Sequence, residues 1–350
     1  MNNKTKQILI VGGGLSGSTL ALELLQRGLD IYLIDNQFPQ SSSRVAAGLL
    51  NPIVPKGVKK TWQCHTLFPA VYDYYQRWES LLNTRFIQQY PFLNIHANTD
   101  EAHEWRKRAS ESDMVDWITE DKQSNFEQIP RDMATWVNHC GRLDVAKFIA
   151  ATQAHLEKSG KYCAENFDYS QCLPSEGGWT YGNRTFTDVV FCEGIGILGN
   201  PWFQYLFFDP TAGDILKVHI PHLGDTPCII KQKQWIVPTE EKDIYLLGSN
   251  FHKNTLSHEP MREDADRLLH RAQQITKQTV TLIEHRRAVR PTVQQRRPYL
   301  GQHPSQQGLH VFNGLGAKGS SLCSWLSPMM ANFLVQGSAL HPEVDIARFT

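Results

Sequence analysis

The sequence predicts an α/β protein in which a parallel, dinucleotide-binding sheet is joined to a second domain built on antiparallel strands. Three observations predict this fold. An apolar run at residues 7–11 leads through a glycine-rich turn into leucines at helical spacing. A second apolar run at residues 31–34 ends on an acid, and alternating runs separated by turn residues follow between residues 213 and 248. The length of 350 residues suggests about two domains.

The N-terminal unit has the order strand, glycine turn, helix, strand and acid. Its first strand is a continuous apolar run, which is typical of a strand buried on both faces. In the turn, Gly12 permits a tight bend, Gly14 lets the backbone approach a pyrophosphate, and Gly17 allows helix and strand to pack closely. Asp35 follows about 20 residues after Gly14, the spacing from which an acid reaches an adenosine ribose.

This unit predicts a dinucleotide site. Free amide groups and the dipole at the helix N-terminus favour a pyrophosphate. The carboxylate of Asp35 disfavours a 2′-phosphate, so NADP is the least favoured ligand. The alternative is a glycine-rich turn in a domain that binds no ligand, and the register of strand, helix and acid argues against it.

Composition excludes several classes of protein. The chain has 35 Lys and Arg against 35 Asp and Glu, and this zero net charge disfavours a nucleic-acid partner. Its 7 cysteines are scattered and include no C-x-x-C pair, which favours reduced thiols, no metal site and a cytoplasmic location. The apolar run at residues 8–11 is too short for a signal peptide, and no run is long enough to span a membrane.

The segment SSSRVAAGLLNP at residues 41–52 supplies hydroxyl groups, an arginine and a glycine just after the second strand. Together with the N-terminal unit it resembles the FAD site of the D-amino-acid oxidase (DAO) family, which includes glycine oxidase and sarcosine oxidase. The resemblance implies non-covalent FAD in a Rossmann-like domain of the glutathione-reductase type, beside an antiparallel-sheet substrate domain. In this half of the chain it implies that the cofactor-binding residues are Gly12, Gly14, Leu15, Ser16, Gly17, Asp35, Ser42, Ser43, Arg44 and Gly48.

The resemblance continues in the middle of the chain. The segment GRLDVAKF at residues 141–148 is expected to open a helix that runs to about Lys158. The segment TDVVFCEG at residues 187–194 is similar to the family's strand that ends beside the flavin phosphates, and it implies that Gly194 binds the cofactor. The family usually has alanines where Cys192 and Glu193 stand. An acid beside a pyrophosphate is unfavourable unless its side chain points away.

Near the C-terminus, the segment VFNGLGAKG at residues 311–319 leads into an apolar helix. In the family, this loop and helix N-terminus hold the pyrimidine end of the isoalloxazine ring. Amide groups and a nearby cation there stabilise negative charge on a reduced flavin. The residues implied to bind the cofactor are Gly314, Leu315, Gly316, Lys318 and Gly319.

The order of these motifs predicts interleaved domains. The FAD-binding domain is expected at residues 1–80, 141–212 and 286–350, and the substrate domain at residues 81–140 and 213–285.

The resemblance also implies a reaction. The family oxidises a C–N bond of a small amine or amino acid by hydride transfer to flavin N5, giving an imine that hydrolyses, and dioxygen or another acceptor reoxidises the flavin. Arg290, in the segment AVRP, is implied to bind the substrate carboxylate, and a structural salt bridge is its alternative. Tyr245, Trp62 and His65 are candidates for the pocket wall, and each could instead be a core or surface residue. His252 follows a strand that approaches the ring in the family, although a lone histidine is usually structural.

Three alternative functions remain open. The C-terminal loop and Arg287 to Arg290 also resemble the oxidase domain of the bifunctional enzyme that removes a carboxymethyl group from a modified tRNA wobble uridine. The arginine cluster at residues 286–297 could neutralise RNA phosphates, whereas the zero net charge favours a small-molecule amine. A non-catalytic FAD-binding protein would fit Glu193 and the glutamines at 294 and 295. An NAD-linked dehydrogenase is the third alternative.

Overall fold

The computed structural model of the chain describes residues 6–120, 130–221, 223 and 227–349. Parts of the expected substrate-domain segments, at residues 121–129, 222 and 224–226, lie outside these ranges. The α-helices of the described part are α1 (Leu15–Gln26), α2 (Ser42–Val45), α3 (Cys64–Leu67), α4 (Val71–Leu82), α5 (Thr99–Ala109), α6 (Val145–Lys158), α7 (Arg262–Thr276) and α8 (Gly319–Gln336).

The strands of the same ranges are β1 (Gln7–Val11), β2 (Asp30–Asp35), β3 (Leu49–Leu50), β4 (Ile53–Val54), β5 (Lys59–Lys60), β6 (Ile87–Gln89), β7 (Phe92–Ile95), β8 (Ile118–Glu120), β9 (Ala134–Val137), β10 (Gly141–Leu143), β11 (Tyr162–Ala164), β12 (Leu173–Ser175), β13 (Gly178–Tyr181), β14 (Arg184–Phe186), β15 (Asp188–Phe191), β16 (Thr211–His219), β17 (Ile229–Gln232), β18 (Gln234–Pro238), β19 (Ile244–Gly248), β20 (His252–Lys253), β21 (Thr281–Arg290), β22 (Tyr299–Gln302) and β23 (Leu309–Asn313). Short 3₁₀ turns lie at Arg131–Met133, Tyr169–Gln171, Gly194–Gly199 and Ile346–Phe349.

A six-stranded sheet in the order β11-β2-β1-β15-β23-β22 forms the first layer of the fold. Its strands are parallel except for β22, which pairs antiparallel with β23 at the edge. Strand β1 is central and buried on both faces: Ile8 and Ile10 pack in the core that contains α1 and α8, whereas Leu9 and Val11 pack in an aromatic core on the other face. The continuous apolar run therefore reflects double burial, as the sequence predicts.

The second large sheet has nine strands and is antiparallel apart from the parallel pair of β17 and β7. Its two longest strands, β16 and β21, pair along nearly their whole length. One face packs Leu216 and Leu247 against Leu268 of α7. On the opposite face, Ile215 and Ala288 pack with Val45 and Ala47, which belong to the segment after β2. This opposite face is therefore the one that meets the first domain.

The structure adjusts the expected elements in two places. The helix predicted from residue 141 begins only at Val145, and the prediction was wrong for residues 141–143, which form β10 between β3 and β6. Asp144 ends that strand and caps α6, because its side chain accepts a hydrogen bond from the Lys147 amide. Strands β16 and β21 also run across the expected boundaries at residues 212 and 285, and the division into two domains stays a prediction.

A buried cluster of charged residues lies on the α7 side of the second sheet. One terminal nitrogen of Arg287, Nη1, donates to Asp214 at 3.0 Å and to Asp264 at 3.1 Å. Asp214 also contacts His285 at 2.8 Å, and Asp264 contacts His252 at 2.9 Å. Both carboxylates are fully buried. Arg287 therefore neutralises two acids that would otherwise be costly to bury.

None of the helices in the described part is both long enough and apolar enough to span a membrane.

Replacing Arg287 tests the importance of this charge cluster. Arg287→Ala leaves two buried carboxylates without their shared cation, and we expect the free energy of unfolding to fall by about 3–5 kcal/mol. Arg286→Ala is the matched control, because Arg286 is about half exposed on the other face of the same strand and pairs with Glu284. Its effect should stay within about 1 kcal/mol. Urea unfolding followed by circular dichroism measures both values, and equal losses in the two variants would contradict the assignment.

Candidate functional site

The turn between β1 and α1 is closed by backbone contacts that only glycine permits. Gly12 has φ +101°, and a Cβ on it would lie 2.5 Å from the carbonyl oxygen of Cys192. A Cβ on Gly17 would lie 1.9 Å from the carbonyl oxygen of Gly12. The end of β15 and the first turn of α1 thus close onto the same turn. Gly12 and Gly17 therefore have the packing role that the sequence assigns to them.

The N-terminus of α1 is open to a ligand. Gly14 is its N-cap residue, and no side chain in the described ranges caps the helix from that position. The Leu15 amide donates to Ser43 Oγ at 3.1 Å, and a Cβ on Gly14 would also lie 3.1 Å from this oxygen. The segment Ser42–Val45, which carries Arg44, therefore lies against the glycine turn, as the resemblance implies.

Asp35 is held in place by several hydrogen-bond donors. The Gly13 amide donates to Asp35 Oδ1 at 2.9 Å. The other oxygen, Oδ2, accepts from Arg44 Nη2 and from Gln153 Nε2, both at 3.1 Å. These contacts orient the carboxylate at the end of β2, beside the turn. The contribution of Gln153 was missed from the sequence, because nothing in the pattern of α6 indicates that one of its polar residues faces β2.

Gly48 allows the backbone after α2 to pack closely against β10. It has φ +72°, and a Cβ on it would lie 1.6 Å from the carbonyl oxygen of Leu143. The Leu143 amide in turn donates to the carbonyl oxygen of Gly48 at 2.9 Å. The backbone after α2 therefore packs directly on β10, which no larger residue at position 48 would allow.

The N-termini of α1 and α8 meet. A Cβ on Gly319 would lie 3.2 Å from Leu15 Cδ2, and Ser327 Oγ donates to Thr19 Oγ1 at 2.7 Å between the two helices. The loop before α8 turns at Gly314 and Gly316, which have φ +79° and +54°. Lys318 is the N-cap residue of α8, and its side chain accepts no hydrogen bond from the amides of the first turn. Two helix N-termini whose N-cap residues provide no capping side chain thus converge on one region.

Lys318 lies at the N-terminus of α8 with its ammonium group turned inward. Its Nζ donates to the carbonyl oxygen of Asn51 at 2.9 Å. Burial lowers the pKa of the ammonium group. The contact joins the C-terminal loop to the segment after α2, although 267 residues separate Lys318 from Asn51. The structure therefore brings the cofactor residues implied at the two ends of the chain together.

The side chain of Glu193 is held by two neutral hydrogen-bond donors. The Tyr169 hydroxyl donates to Oε1 at 2.5 Å, and Asn200 Nδ2 donates to Oε2 at 2.9 Å. Burial raises the pKa of this carboxyl to about 7. The next residue, Gly194, has φ +55°, and its carbonyl oxygen accepts from Asn313 Nδ2 at 2.8 Å. The unusual acid is therefore accommodated by two neutral donors.

Arg290 lies on the face of β21 that meets the first domain. Its guanidinium occupies the space above Gly213, where a Cβ would lie 2.4 Å from Nη1. The Phe251 ring covers the guanidinium, with its centroid 4.9 Å from Arg290 Cζ. Nη1 is buried and has no hydrogen-bond partner among the described residues, and no described acid forms an ion pair with this guanidinium. Burial lowers the pKa of Arg290 to about 10. Among the described residues, Arg290 therefore does not form the structural salt bridge that was the alternative to a substrate-binding role.

Two aromatic residues on the sheet face that carries Arg290 were missed from the sequence. Trp235 occupies the space above Gly248, where a Cβ would lie 2.6 Å from the indole Cη2. Phe251 is 65% exposed, so its ring borders both Arg290 and solvent. Glycines inside strands, as at 213 and 248, indicate close approach by another group, and this signal could have pointed to the face.

The structure does not bring the other candidate wall residues to Arg290. Tyr245 points to the α7 side of the second sheet and packs in the core with Leu268, because its neighbour Leu246 takes the opposite face. Trp62 packs edge-on against Trp325, and His65 packs edge-on against Trp117. His252 contacts Asp264 in the buried charge cluster.

Comparison with known proteins places these features in context. The profile of the DAO family, described as "FAD dependent oxidoreductase", matches residues 7–332. The bifunctional protein ThiO/ThiG of Trichormus variabilis is 24% identical over 279 residues, which cover 69% of this chain and 39% of that protein. The tRNA 5-methylaminomethyl-2-thiouridine biosynthesis bifunctional protein MnmC of Haemophilus ducreyi is 22% identical over 69% of this chain and 38% of that protein.

The chain thus spans about two fifths of these bifunctional relatives. A crystal structure of glycine oxidase from Geobacillus kaustophilus superposes with a TM-score of 0.79 at 20% identity. That superposition covers 99% of this chain and 98% of the other chain, which shows that the fold is shared over its whole length.

Replacing Gly17 tests whether the glycine turn binds FAD. Gly17→Ala places a methyl group against the Gly12 carbonyl oxygen, so the turn must open, and we expect at least a tenfold loss of FAD affinity, equivalent to about 1.4 kcal/mol. Gly199→Ala is the control, because a Cβ there meets nothing within 4 Å. Quenching of flavin fluorescence measures both affinities. Unchanged affinity in Gly17→Ala would argue against binding at this turn.

Proposed function

The chain belongs to the DAO family of FAD-dependent oxidoreductases, and from that premise we propose that it oxidises a C–N bond of a small amine that carries a carboxylate, such as an amino acid. The observation that carries the proposal is the buried Arg290 guanidinium, which has an unpaired Nη1 on the face of the second sheet that meets the first domain. A substrate carboxylate is the group that best satisfies such a cation.

The described residues fit non-covalent FAD. The turn at Gly12–Gly17 leaves no room for side chains at Gly12 and Gly17, and Gly14 leaves the N-cap position of α1 without a capping side chain, which suits a pyrophosphate. Asp35 would accept from the adenosine ribose, with Arg44 and Gln153 orienting its carboxylate. The remaining residues that we assign to the cofactor are Gly14, Leu15, Ser16, Ser42, Ser43, Gly48, Gly194, Gly314, Leu315, Gly316, Lys318 and Gly319.

The chemistry that FAD supplies when bound is acceptance of a hydride at N5 from the carbon that bears the amine, which leaves an imine that water hydrolyses. The protein's part is to bind and orient the substrate. Arg290 would hold the carboxylate through two parallel N–H···O bonds, which fixes the position of the adjacent carbon. Phe251 would cover the guanidinium, and Trp235, on the same face of the sheet, would add to the apolar wall.

Lys318 would serve the cofactor. Its buried ammonium group lies at the N-terminus of α8, where the helix dipole and free amides already favour negative charge. A cation at this position stabilises charge that develops on the pyrimidine end of a flavin.

The tRNA alternative has weaker support. A surface that binds RNA needs cations that are free to meet phosphates. In the described structure, Arg287 is shared between two buried aspartates, Arg286 pairs with Glu284, and Arg297 pairs with Glu343. The cluster that the sequence suggests is therefore largely neutralised, which favours a small-molecule substrate.

The non-catalytic alternative also loses the residues that suggested it. Glu193 is engaged by Tyr169 and Asn200, and Gln294 and Gln295 are exposed. None of these contacts involves Arg290.

A panel of amines and amino acids tests the reaction class. We expect one or more carboxylate-bearing amines, among glycine, sarcosine, alanine, proline and iminodiacetate, to bleach the absorbance of the bound flavin in the absence of oxygen. A carboxymethylaminomethyl uridine in the panel tests the tRNA alternative. If dithionite bleaches the flavin and every amine fails, the proposed function is wrong. If the purified protein carries no flavin and reduces NAD, the dehydrogenase alternative replaces it.

Replacing Arg290 tests the carboxylate site. Arg290→Ala removes charge-assisted hydrogen bonds worth about 1.5–3 kcal/mol, so we expect the affinity for a carboxylate-bearing substrate or inhibitor to fall roughly 10- to 100-fold. A matched amine without the carboxylate should lose little affinity. Arg286→Ala is the control, because its guanidinium pairs with Glu284 instead. Flavin absorbance changes on titration report the affinities, and an unchanged value in Arg290→Ala would contradict the role.

A further inference from the structure

Glu193 is a buried acid that the proposed reaction does not use, and it forms part of the wall of the glycine turn. A Cβ on Gly12 would lie 3.2 Å from Glu193 Cα, so the backbone of this residue packs directly on the turn that fits the pyrophosphate. Glu193 is also the residue that precedes the 3₁₀ turn Gly194–Gly199. A charge on its side chain would therefore lie near the charge of the cofactor.

The carboxyl group is surrounded by neutral groups. Its hydrogen-bond donors are the Tyr169 hydroxyl and the Asn200 amide, and no Lys, Arg or His of the described residues forms an ion pair with it. Tyr169 itself packs edge-on against Phe167 and Trp202 in an aromatic core. Burial in this core, without a cation, raises the pKa of Glu193 to about 7, whereas the two donors act in the opposite direction.

The other titratable groups that face Glu193 stay neutral across the physiological range. From the 3₁₀ turn at residues 169–171 this group is Tyr169, and from the end of β15 it is Cys192; burial raises the pKa of both. From β23, the neighbouring side chain is the amide of Asn313, which donates to the carbonyl oxygen of Gly194 and does not titrate. A change of charge in this core near neutral pH would thus come from Glu193.

We propose that Glu193 couples FAD binding to the uptake of one proton. In the FAD-free protein the carboxyl is ionised at alkaline pH. A pyrophosphate at the adjacent turn brings negative charge, which favours the neutral carboxyl, so one carboxylate oxygen takes a proton from solvent when FAD binds. Glu193 is thus a positioning residue whose protonation state controls how well the turn accepts the cofactor.

The sign of the pH dependence follows from linkage. The pKa of Glu193 without FAD is about 7. The negative charge of bound FAD is expected to raise this pKa further. Below this pKa the carboxyl is neutral with and without FAD, so the affinity does not depend on pH. Above it, binding must first protonate the free protein, so the dissociation constant rises with pH. The rise can reach about tenfold per pH unit until the pKa of the FAD-loaded form is passed.

The dissociation constant of FAD over the range from about pH 6 to pH 9 tests the proposal. The full-length chain is freed of flavin and titrated with FAD, and quenching of flavin fluorescence gives the affinity. We expect a flat region at low pH and a roughly tenfold or greater weakening at high pH for the unaltered protein. Glu193→Gln, which keeps the shape of the side chain, should bind FAD with a pH-independent affinity. Calorimetry at about pH 8 in two buffers of different ionisation enthalpy should show proton uptake only when Glu193 is present.

Two further variants separate titration of Glu193 from a structural role. Tyr169→Phe removes a donor that stabilises the ionised carboxyl, so the weakening of FAD binding should begin at a higher pH than in the unaltered protein. Glu176→Gln removes one exposed acid and should leave the profile unchanged. If Glu193→Gln does not bind FAD at any pH, the proposal is judged by Tyr169→Phe alone, from the pH at which its FAD binding begins to weaken.

A flat profile in the unaltered protein, a sloping profile in Glu193→Gln, or an unshifted onset in Tyr169→Phe would each overturn the proposal. The test needs FAD binding but no substrate, so its failure is distinct from a failure of the proposed amine oxidation.

Discussion

The tight backbone packing at the turn between β1 and α1 is the constraint on which the rest of the structure depends. The turn carries the end of β15 against Gly12 and the first turn of α1 against Gly17, at separations that exclude any side chain. With α1 fixed in this way, its N-terminus lies at the carboxyl end of β1, against Ser43. Strands β2 and β15 end at the same edge of the parallel sheet, which places Asp35 and Glu193 on either side of the turn.

The second helix N-terminus depends on the first. Helix α8 packs along α1 with a buried hydroxyl pair, Ser327 and Thr19, and with Gly319 against Leu15. Lys318 can then reach Asn51. The site is thus assembled from segments that lie some 300 residues apart, and its electrostatic character follows from helix ends more than from net charge, which is zero.

The second sheet has two chemically different faces because of strand alternation. Along β21, Arg287 points toward α7 and is neutralised by two buried aspartates, whereas Arg290 points the other way and keeps an unpaired nitrogen. Two arginines in one strand thus have different environments because successive side chains alternate between faces. The glycines opposite Arg290 and Trp235 make room for large side chains on a flat sheet.

The sequence alone determined the parallel unit, the glycine turn, Asp35 and the loop before α8, because each depends on local backbone geometry that particular residues report. It also indicated Arg290 by resemblance. Only the tertiary structure decided that Gln153 orients Asp35, that Tyr245 lies in the α7 core, and that Phe251 covers Arg290. It also decided that Tyr169 and Asn200 hold Glu193. The physical reason is that the partner of a polar or aromatic side chain is set by which strands and helices become neighbours. That neighbourhood is formed by long-range packing and has no signature in local spacing.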